Sequence, residues 1–358
     1  MNKCSENRLG GVEKVIEVQD VSKLYTIVEK DPGLAGAFKS LFVRKTRIHE
    51  AVKTLNFTIN QGEMVAYIGA NGAGKSTTIK LLCGILTPST GVVRVNGIVP
   101  YENRTKNAYQ IGAVFGQRSQ LMWDLPVRES FELLRHVYNV PKLAFDEMLT
   151  KCTDVLQLEP FLGQPVRQLS LGQKMRCELA AAFLHRPSIV YLDEPTIGLD
   201  VAVKARIRQF IKEMNRTTKT TIILTSHDMQ DIEELCERVI LIDQGAIVYD
   251  GRISQLKSDY GQKRVVVFHC EPGSNWITPS ELQGSVDVRF VEEQEPSQQD
   301  PSEHEMGWIT VEVAFDQSTF SAREIITAVL AENAVHDLTV RESGIESIVR
   351  AIYERNGG

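Results

Sequence analysis

The sequence predicts an α/β domain with a largely parallel sheet and a helical insert, followed by a smaller α+β domain, and three observations carry that prediction. First, short apolar runs rich in β-branched residues recur between longer helical patterns: Met64-Val65-Ala66-Tyr67-Ile68, Ile189-Val190-Tyr191-Leu192, Thr221-Ile222-Ile223-Leu224 and Val239-Ile240-Leu241-Ile242. Strands that are apolar at every position are buried on both faces, as in a parallel sheet covered by helices. Second, the strand signal vanishes between Pro126 and Leu184 and helical spacing replaces it, which puts a helical subdomain at about 118–185. Third, the pattern changes after Tyr249-Asp250-Gly251.

The expected division is therefore a flexible N-terminus at 1–14, an α/β domain at 15–251 and an accessory α+β domain at 252–358. In the first domain the Met64 strand runs at once into glycines and a helix from about Lys75 to Leu86. In the second, Arg264–Cys270, Val286–Val291, Trp308–Phe315 and Val335–Val340 read as strands, and Phe320–Ala331 as a helix. Ser343-Gly344-Ile345-Glu346 has the spacing of a capping box, opening a last helix whose Ile345, Ile348, Val349 and Ile352 form one apolar stripe.

Composition narrows the function. At 358 residues, 42 % hydrophobic and 24 % charged, the chain can bury a sizeable core. Its formal charge of −6 argues against a general nucleic-acid coat. Nine acids against the single Arg289 lie between Glu271 and Glu305, so this stretch carries −8 and the remainder +2. Its part from Glu292 to Glu305 reads as a solvated loop. No run approaches the roughly 20 apolar residues that span a bilayer, and the start lacks the apolar core of a signal peptide. Six cysteines without a CxxC pair speak against zinc or a disulfide framework and fit reduced thiols in a cytosolic protein. Between Gly33 and Arg47, Phe38, Leu41 and Phe42 alternate with Lys39, Arg44 and Lys45, which suggests a short basic amphipathic helix for an anionic leaflet or a partner, or a solvated face over an ordinary core stripe.

The chemistry is carried by Gly69-Ala70-Asn71-Gly72-Ala73-Gly74-Lys75-Ser76, a P-loop pattern placed between a buried strand and a helix start. Glycines let backbone N–H groups, with those of Asn71, Gly72, Ala73, Gly74 and Thr77 among the candidates, curl around phosphate oxygens. Lys75 reaches the β- and γ-phosphates and the Ser76 hydroxyl can ligate Mg²⁺. Val190-Tyr191-Leu192-Asp193-Glu194 supplies the second half: Asp193 for the Mg²⁺ shell, and Glu194 to polarise an attacking water.

Leu169-Ser170-Leu171-Gly172-Gln173, about twenty residues before Asp193, makes the chain resemble the ATP-binding-cassette (ABC) ATPases over about Val15 to Gly251. The resemblance implies the P-loop NTPase cassette fold, ATP and Mg²⁺, and a signature in which Ser170, Gly172 and Gln173 cap the γ-phosphate of an ATP held by a partner subunit. Leu171 stands where a glycine is more usual. It also implies Gln117 at Mg²⁺ and the attacking water, with Gln120 a weaker alternative because Gly116 looks like an extra residue. Asp200 in Pro195-Thr196-Ile197-Gly198-Leu199-Asp200 would be an interface carboxylate, His227 in Thr225-Ser226-His227-Asp228 would contact the γ-phosphate, and Tyr25 would stack on adenine.

The chain looks most like bacterial exporter ATPases for drugs, lipids or glycans. The resemblance then implies a homodimer or paralogous heterodimer of ATPase subunits. These would pair with separate transmembrane permease subunits and sit peripherally on the cytoplasmic face of the cell membrane. Docking is expected near Gln117, at Arg118, Met122 and Trp123. An importer ATPase, or a non-transport cassette acting on nucleic acid or ribosomes, are the alternatives.

Overall fold

A computed structural model describes residues 13–29, 45–116, 119–260, 263–270, 276–291, 309–316, 319–342 and 345–356. Gln117, Arg118, the stretch 30–44, the acidic run 292–308 and the Ser343-Gly344 start of the expected capping box lie outside the described residues, as do residues 1–12 of the expected flexible terminus. The chain divides into two compact units, Met1–Gly251 and Arg252–Gly358.

The first unit is built on a six-stranded sheet among the described residues, in the order β5 (Ile111–Phe115), β6 (Ile189–Asp193), β7 (Thr221–Thr225), β3 (Met64–Gly69), β8 (Arg238–Asp243) and β9 (Ala246–Arg252). The pairs β5–β6, β6–β7, β7–β3 and β3–β8 are parallel. β7 is buried at all five positions, as its unbroken apolar run requires. A second sheet, in the order β2 (Lys45–Asn60), β1 (Lys14–Glu29), β4 (Thr90–Val95), is antiparallel. β1 and β2 pair along their whole lengths, but β4 covers only Ile16 to Ser22. Both sheets share one core through Ile16, Leu55, Ile59, Tyr67, Val95 and Tyr191.

Helix α1 (Lys75–Leu82) follows the P-loop and stops short of the expected Leu86. The chain turns at Gly84, whose φ is +75° and where a Cβ would lie 2.6 Å from the Pro100 carbonyl oxygen. After the short α2 (Arg104–Ala108) come α3 (Val127–Val137), α4 (Lys142–Leu156) and α5 (Leu171–Phe183), a helical stretch with Phe131, Phe145 and Cys152 fully buried. Helices α6 (Val201–Thr218) and α7 (Met229–Leu235) flank β7 in sequence, and Phe183 of α5 meets Phe210 of α6 edge-on at 5.2 Å. The basic segment ends differently from expectation: Lys45 and Arg47 belong to β2, with Arg47 opposite Ile27 of β1, so cross-strand pairing takes these residues out of any helix.

The second unit carries a four-stranded antiparallel sheet in the order β11 (Val286–Val291), β12 (Ile309–Asp316), β10 (Lys263–Cys270), β13 (Val335–Glu342). Phe268, Val311, Val313 and Phe315 bury against Ile325 and Val329 of α9 (Ala322–Glu332). Ser321 and Glu324 cap that helix reciprocally. α10 (Ile345–Asn356) buries its Ile345, Ile348, Val349 and Ile352 stripe and packs beside α8 (Ile253–Tyr260). Among the described residues, no helix is long and apolar enough to cross a membrane.

Candidate active site

Parallel strands all point their carboxyl ends the same way, so the loops after β3, β6 and β7 emerge on one side of the sheet, where α/β folds place their ligands. Those loops are the P-loop, Asp193-Glu194 and Ser226-His227.

The P-loop needs its glycines. At Gly69 a Cβ would lie 2.6 Å from the Ile242 carbonyl oxygen, and at Gly74, with φ +105°, 2.5 Å from that of Ala51. Gly72, with φ +84°, faces open space. Asn71 and Ser76 are exposed, Thr77 is half-buried, and Ala73 is buried, its carbonyl accepting from the Gly245 N–H at 3.0 Å. Lys75 is buried, and its Nζ donates to the carbonyls of Gly69 (2.6 Å) and Ala70 (3.2 Å). Burial lowers the Lys75 pKa, opposed by the charges of Glu194 and Asp193, so the ammonium sits where an anion would favour it. An open positive-φ cradle beside an ammonium and a helix N-terminus fits a nucleotide's phosphates.

Asp193 ends β6 opposite Thr225 of β7, and the Thr225 hydroxyl donates to its Oδ1 at 2.6 Å. Glu194 then leaves the strand in the left-handed region, at φ +55°, and its N–H donates to the Thr225 carbonyl at 3.0 Å. This left-handed, non-glycine backbone falls at the residue that follows β6. His227 Nε2 lies 3.1 Å from Glu194 Oε1. The two line a cavity of about 300 Å³ together with Thr196, Lys204, Ser226 and Asp228. A carboxylate held next to an imidazole, with a carboxylate and an ammonium alongside, can take a proton from water and stabilise charge on a phosphate.

The signature residues form a second cluster. Ser170 is the N-cap of α5: its Oγ accepts from the Gln173 N–H at 3.3 Å, and its own N–H donates to Gln173 Oε1 at 2.8 Å. The hydroxyl hydrogen remains available to a phosphate oxygen. Gly172 packs on Leu199 and Val203, and Gly198 on Leu171. Asp200 caps α6 by accepting from the Val203 N–H at 2.9 Å. Tyr25 is half-buried on β1 opposite His49, with the Lys23 ammonium 5.5 Å from its ring.

Gln117 and its neighbour Arg118 lie outside the described residues, and Gln120 is committed elsewhere: its Nε2 donates to the Ala113 carbonyl at 2.6 Å and its N–H to Glu178 at 3.0 Å. The buried Glu178 carboxyl, which also accepts from Ser119, is held above its ordinary range by desolvation. Sequence reasoning passed over Thr225, Glu178 and Asp231. Thr225 stood inside a quoted motif, but its role depends on the β6–β7 register.

Fold and site together define a P-loop nucleotide hydrolase with a cassette's helical insert. A family model described as "ABC transporter" matches residues 52–197. The chain is 30 % identical over 215 residues to the ABC transporter ATP-binding protein NatA of Bacillus subtilis (strain 168), covering 60 % of this chain and 87 % of that one. It is 29 % identical over 305 residues to the linearmycin resistance ATP-binding protein LnrL of the same strain, covering 83 % and 91 %. The dimeric post-hydrolysis structure of the cassette MJ0796, bound to ADP and Pi, matches with a TM-score of 0.55 at 26 % identity, over 66 % of this chain and 98 % of that one. The chain belongs to the ATP-binding subunits of ABC transporters and is an ATPase of the cassette type.

Proposed function

We propose that this subunit hydrolyses ATP to energise export through separate transmembrane subunits. In this reading the cassette is the domain at 15–251 and the accessory domain follows at 252–358. The observation that carries the hydrolytic part is the Glu194–His227 contact at 3.1 Å beside the P-loop. The reading of export is supported by the relative spanned over 91 % of its length, whose name describes linearmycin resistance.

The P-loop residues Asn71, Gly72, Ala73, Gly74, Lys75, Ser76 and Thr77 bind the phosphates, and Tyr25 carries adenine. Ser76, Asp193 and Gln117 would hold Mg²⁺, which would neutralise phosphate charge. Glu194 accepts the proton of the attacking water. His227 orients Glu194 and contacts the γ-phosphate. Ser170, Gly172 and Gln173 complete the site on the second subunit, with Asp200 at the interface, so ATP closes the dimer and hydrolysis releases it. This arrangement agrees with the separate surroundings of the two phosphate-binding turns. The P-loop packs on Ala51, Ile242 and Gly245, and the signature on Leu199 and Val203. The dimer takes its place at the inner face of the membrane. Met122 and Trp123 are exposed, with Lys174 over the Trp123 ring at 5.4 Å, as a docking surface for a permease requires.

The head-to-tail arrangement is tested by mixing subunits. Lys75→Ala and Ser170→Ala proteins are each expected to be inactive alone, and mixing them restores part of the ATPase activity, because one composite site is then intact. No recovery on mixing contradicts the arrangement.

A further inference from the structure

Helices α6 and α7 are joined by three rungs of charge. Lys204, Arg208 and Lys212 recur every four residues on α6, and Asp228, Asp231 and Glu234 every three from the N-cap of α7 to its last turn. Side chains at these spacings share one helix face. Lys204 Nζ lies 2.6 Å from Asp228, Arg208 Nη1 2.7 Å from Asp231, Arg208 Nε 3.3 Å from Glu234, and Lys212 Nζ 3.4 Å from Glu234. The outer rung is exposed and open to screening by salt, whereas Asp231 is 0 % and Arg208 5 % exposed.

The inner rung does more than join two helices. Asp231 Oδ2 also accepts from the buried Thr196 hydroxyl, and at 3.4 Å it shares the Ser226 hydroxyl hydrogen with the Asp228 carbonyl oxygen at 3.3 Å. Thr196 is two residues beyond Glu194, and Ser226 immediately precedes His227. One buried carboxylate therefore ties the backbone that carries the water-activating acid to the backbone that carries the histidine. Its remaining oxygen is anchored to the helix that Asp200 caps. Buried carboxylates with several donors resist displacement, because any movement that breaks one bond leaves a polar group unpaired away from water.

We propose that Asp231, held by Arg208, is a positioning residue that keeps His227 in register with Glu194, and that Thr196 and Ser226 are the two bonds through which it acts. It touches neither substrate nor reacting atoms. The inference rests on the assignment of Glu194 and His227 to hydrolysis.

The test compares Thr196→Val, Thr196→Ser, Asp231→Asn and Lys212→Ala in the full chain, by steady-state ATPase kinetics, titration with a fluorescent ATP analogue and thermal unfolding. Displacement of a catalytic group by about 1 Å costs on the order of 10- to 100-fold in rate. Thr196→Val and Asp231→Asn are expected to lower kcat at least about tenfold, with analogue affinity changed less than about twofold, the pattern of an interaction needed only in the transition state. Thr196→Ser keeps the donor but removes a buried methyl, so it is expected to lower the unfolding temperature while holding kcat near wild type. Lys212→Ala is expected to leave kcat unchanged.

Wild-type kcat in Thr196→Val, or equal losses in Thr196→Val and Thr196→Ser, overturns the proposal. The Thr196 pair decides the matter even where Asp231→Asn does not fold. His227→Ala and Glu194→Gln, measured alongside, report on the underlying assignment. Should both keep wild-type turnover, that assignment fails. Should both lose it while Thr196→Val keeps it, only the positioning role fails.

Discussion

His185 offers a stability prediction whose size follows from the structure. Its ring stacks on Tyr138 at 3.9 Å with an interplanar angle of 9°, and its Nε2 lies 2.9 Å from the Ile111 carbonyl oxygen. The carbonyl only accepts, so Nε2 carries the hydrogen, and Nδ1 is a buried atom without a hydrogen-bond partner. Protonation would put a second N–H where nothing receives it. Burial accordingly lowers the His185 pKa from 6.5 to about 4, against the opposing effect of the Ile111 bond. A depressed histidine binds its proton more weakly when folded than when unfolded, so its contribution to stability is full above the unfolded pKa and is lost as pH falls towards the folded one. At about 1.4 kcal/mol per pH unit, the loss relative to pH 7 is about 2 kcal/mol at pH 5 and about 3 kcal/mol at pH 4. Glu178 works in the opposite sense, because its raised pKa favours the folded state at low pH and that favour is lost as pH rises. The histidine is isolated by comparing urea unfolding of wild type and His185→Phe from pH 7 to pH 4. The variant keeps an aromatic face towards Tyr138 and titrates nothing. Wild type is expected to lose about 3 kcal/mol more than the variant over this range, and parallel pH profiles would show that His185 does not titrate with unfolding.

Three further outcomes follow from the same geometry. Gly69→Ala forces a methyl to within 2.6 Å of the Ile242 carbonyl oxygen, so urea unfolding should show a loss of about 1–3 kcal/mol, as overpacking does elsewhere. Lys75→Met removes the ammonium that faces the loop carbonyls, and titration with a fluorescent ATP analogue should show affinity weakened by about tenfold or more, as expected when a charge-assisted phosphate contact is lost. Phe268→Ala empties a fully buried position in the second unit. Hydrogen exchange in β10, β12 and β13 should report a loss of about 3–5 kcal/mol there, the usual cost of such a cavity.

Much of this molecule is legible in its sequence because local signals agree with the global fold. Gly69 and Gly74 of the P-loop stand where backbone clashes allow nothing larger and Gly72 where φ is positive, and the apolar runs at 64–68, 189–192, 221–224 and 239–242 are the central strands. What the sequence hides is pairing at a distance. β1 and β2 have no clean two-residue alternation to announce sixteen-residue strands, and their ladder has bulges between Val18 and Lys23 that shift the pattern from one face to the other. Arg47 looks helical beside Lys45 and Arg44, yet its neighbour is Ile27, twenty residues earlier. At the site, Glu194 and His227 were readable as residue types. Their contact depends on the left-handed turn at Glu194 and on Thr196, Ser226 and Arg208 converging on Asp231, which only the folded chain brings together. Gln120 shows the converse, a plausible residue type whose amide is bound to a strand carbonyl.

Whether Glu194 takes the proton of the attacking water in an ATP-driven subunit is decided by Glu194→Gln. Removal of a general base typically costs on the order of 100- to 10,000-fold in turnover. If Glu194 is the base, the variant binds an ATP analogue close to wild type, turns over at least about 100-fold more slowly, and stays dimeric in sedimentation when ATP and Mg²⁺ are present. Turnover near the wild-type rate in this variant contradicts that role.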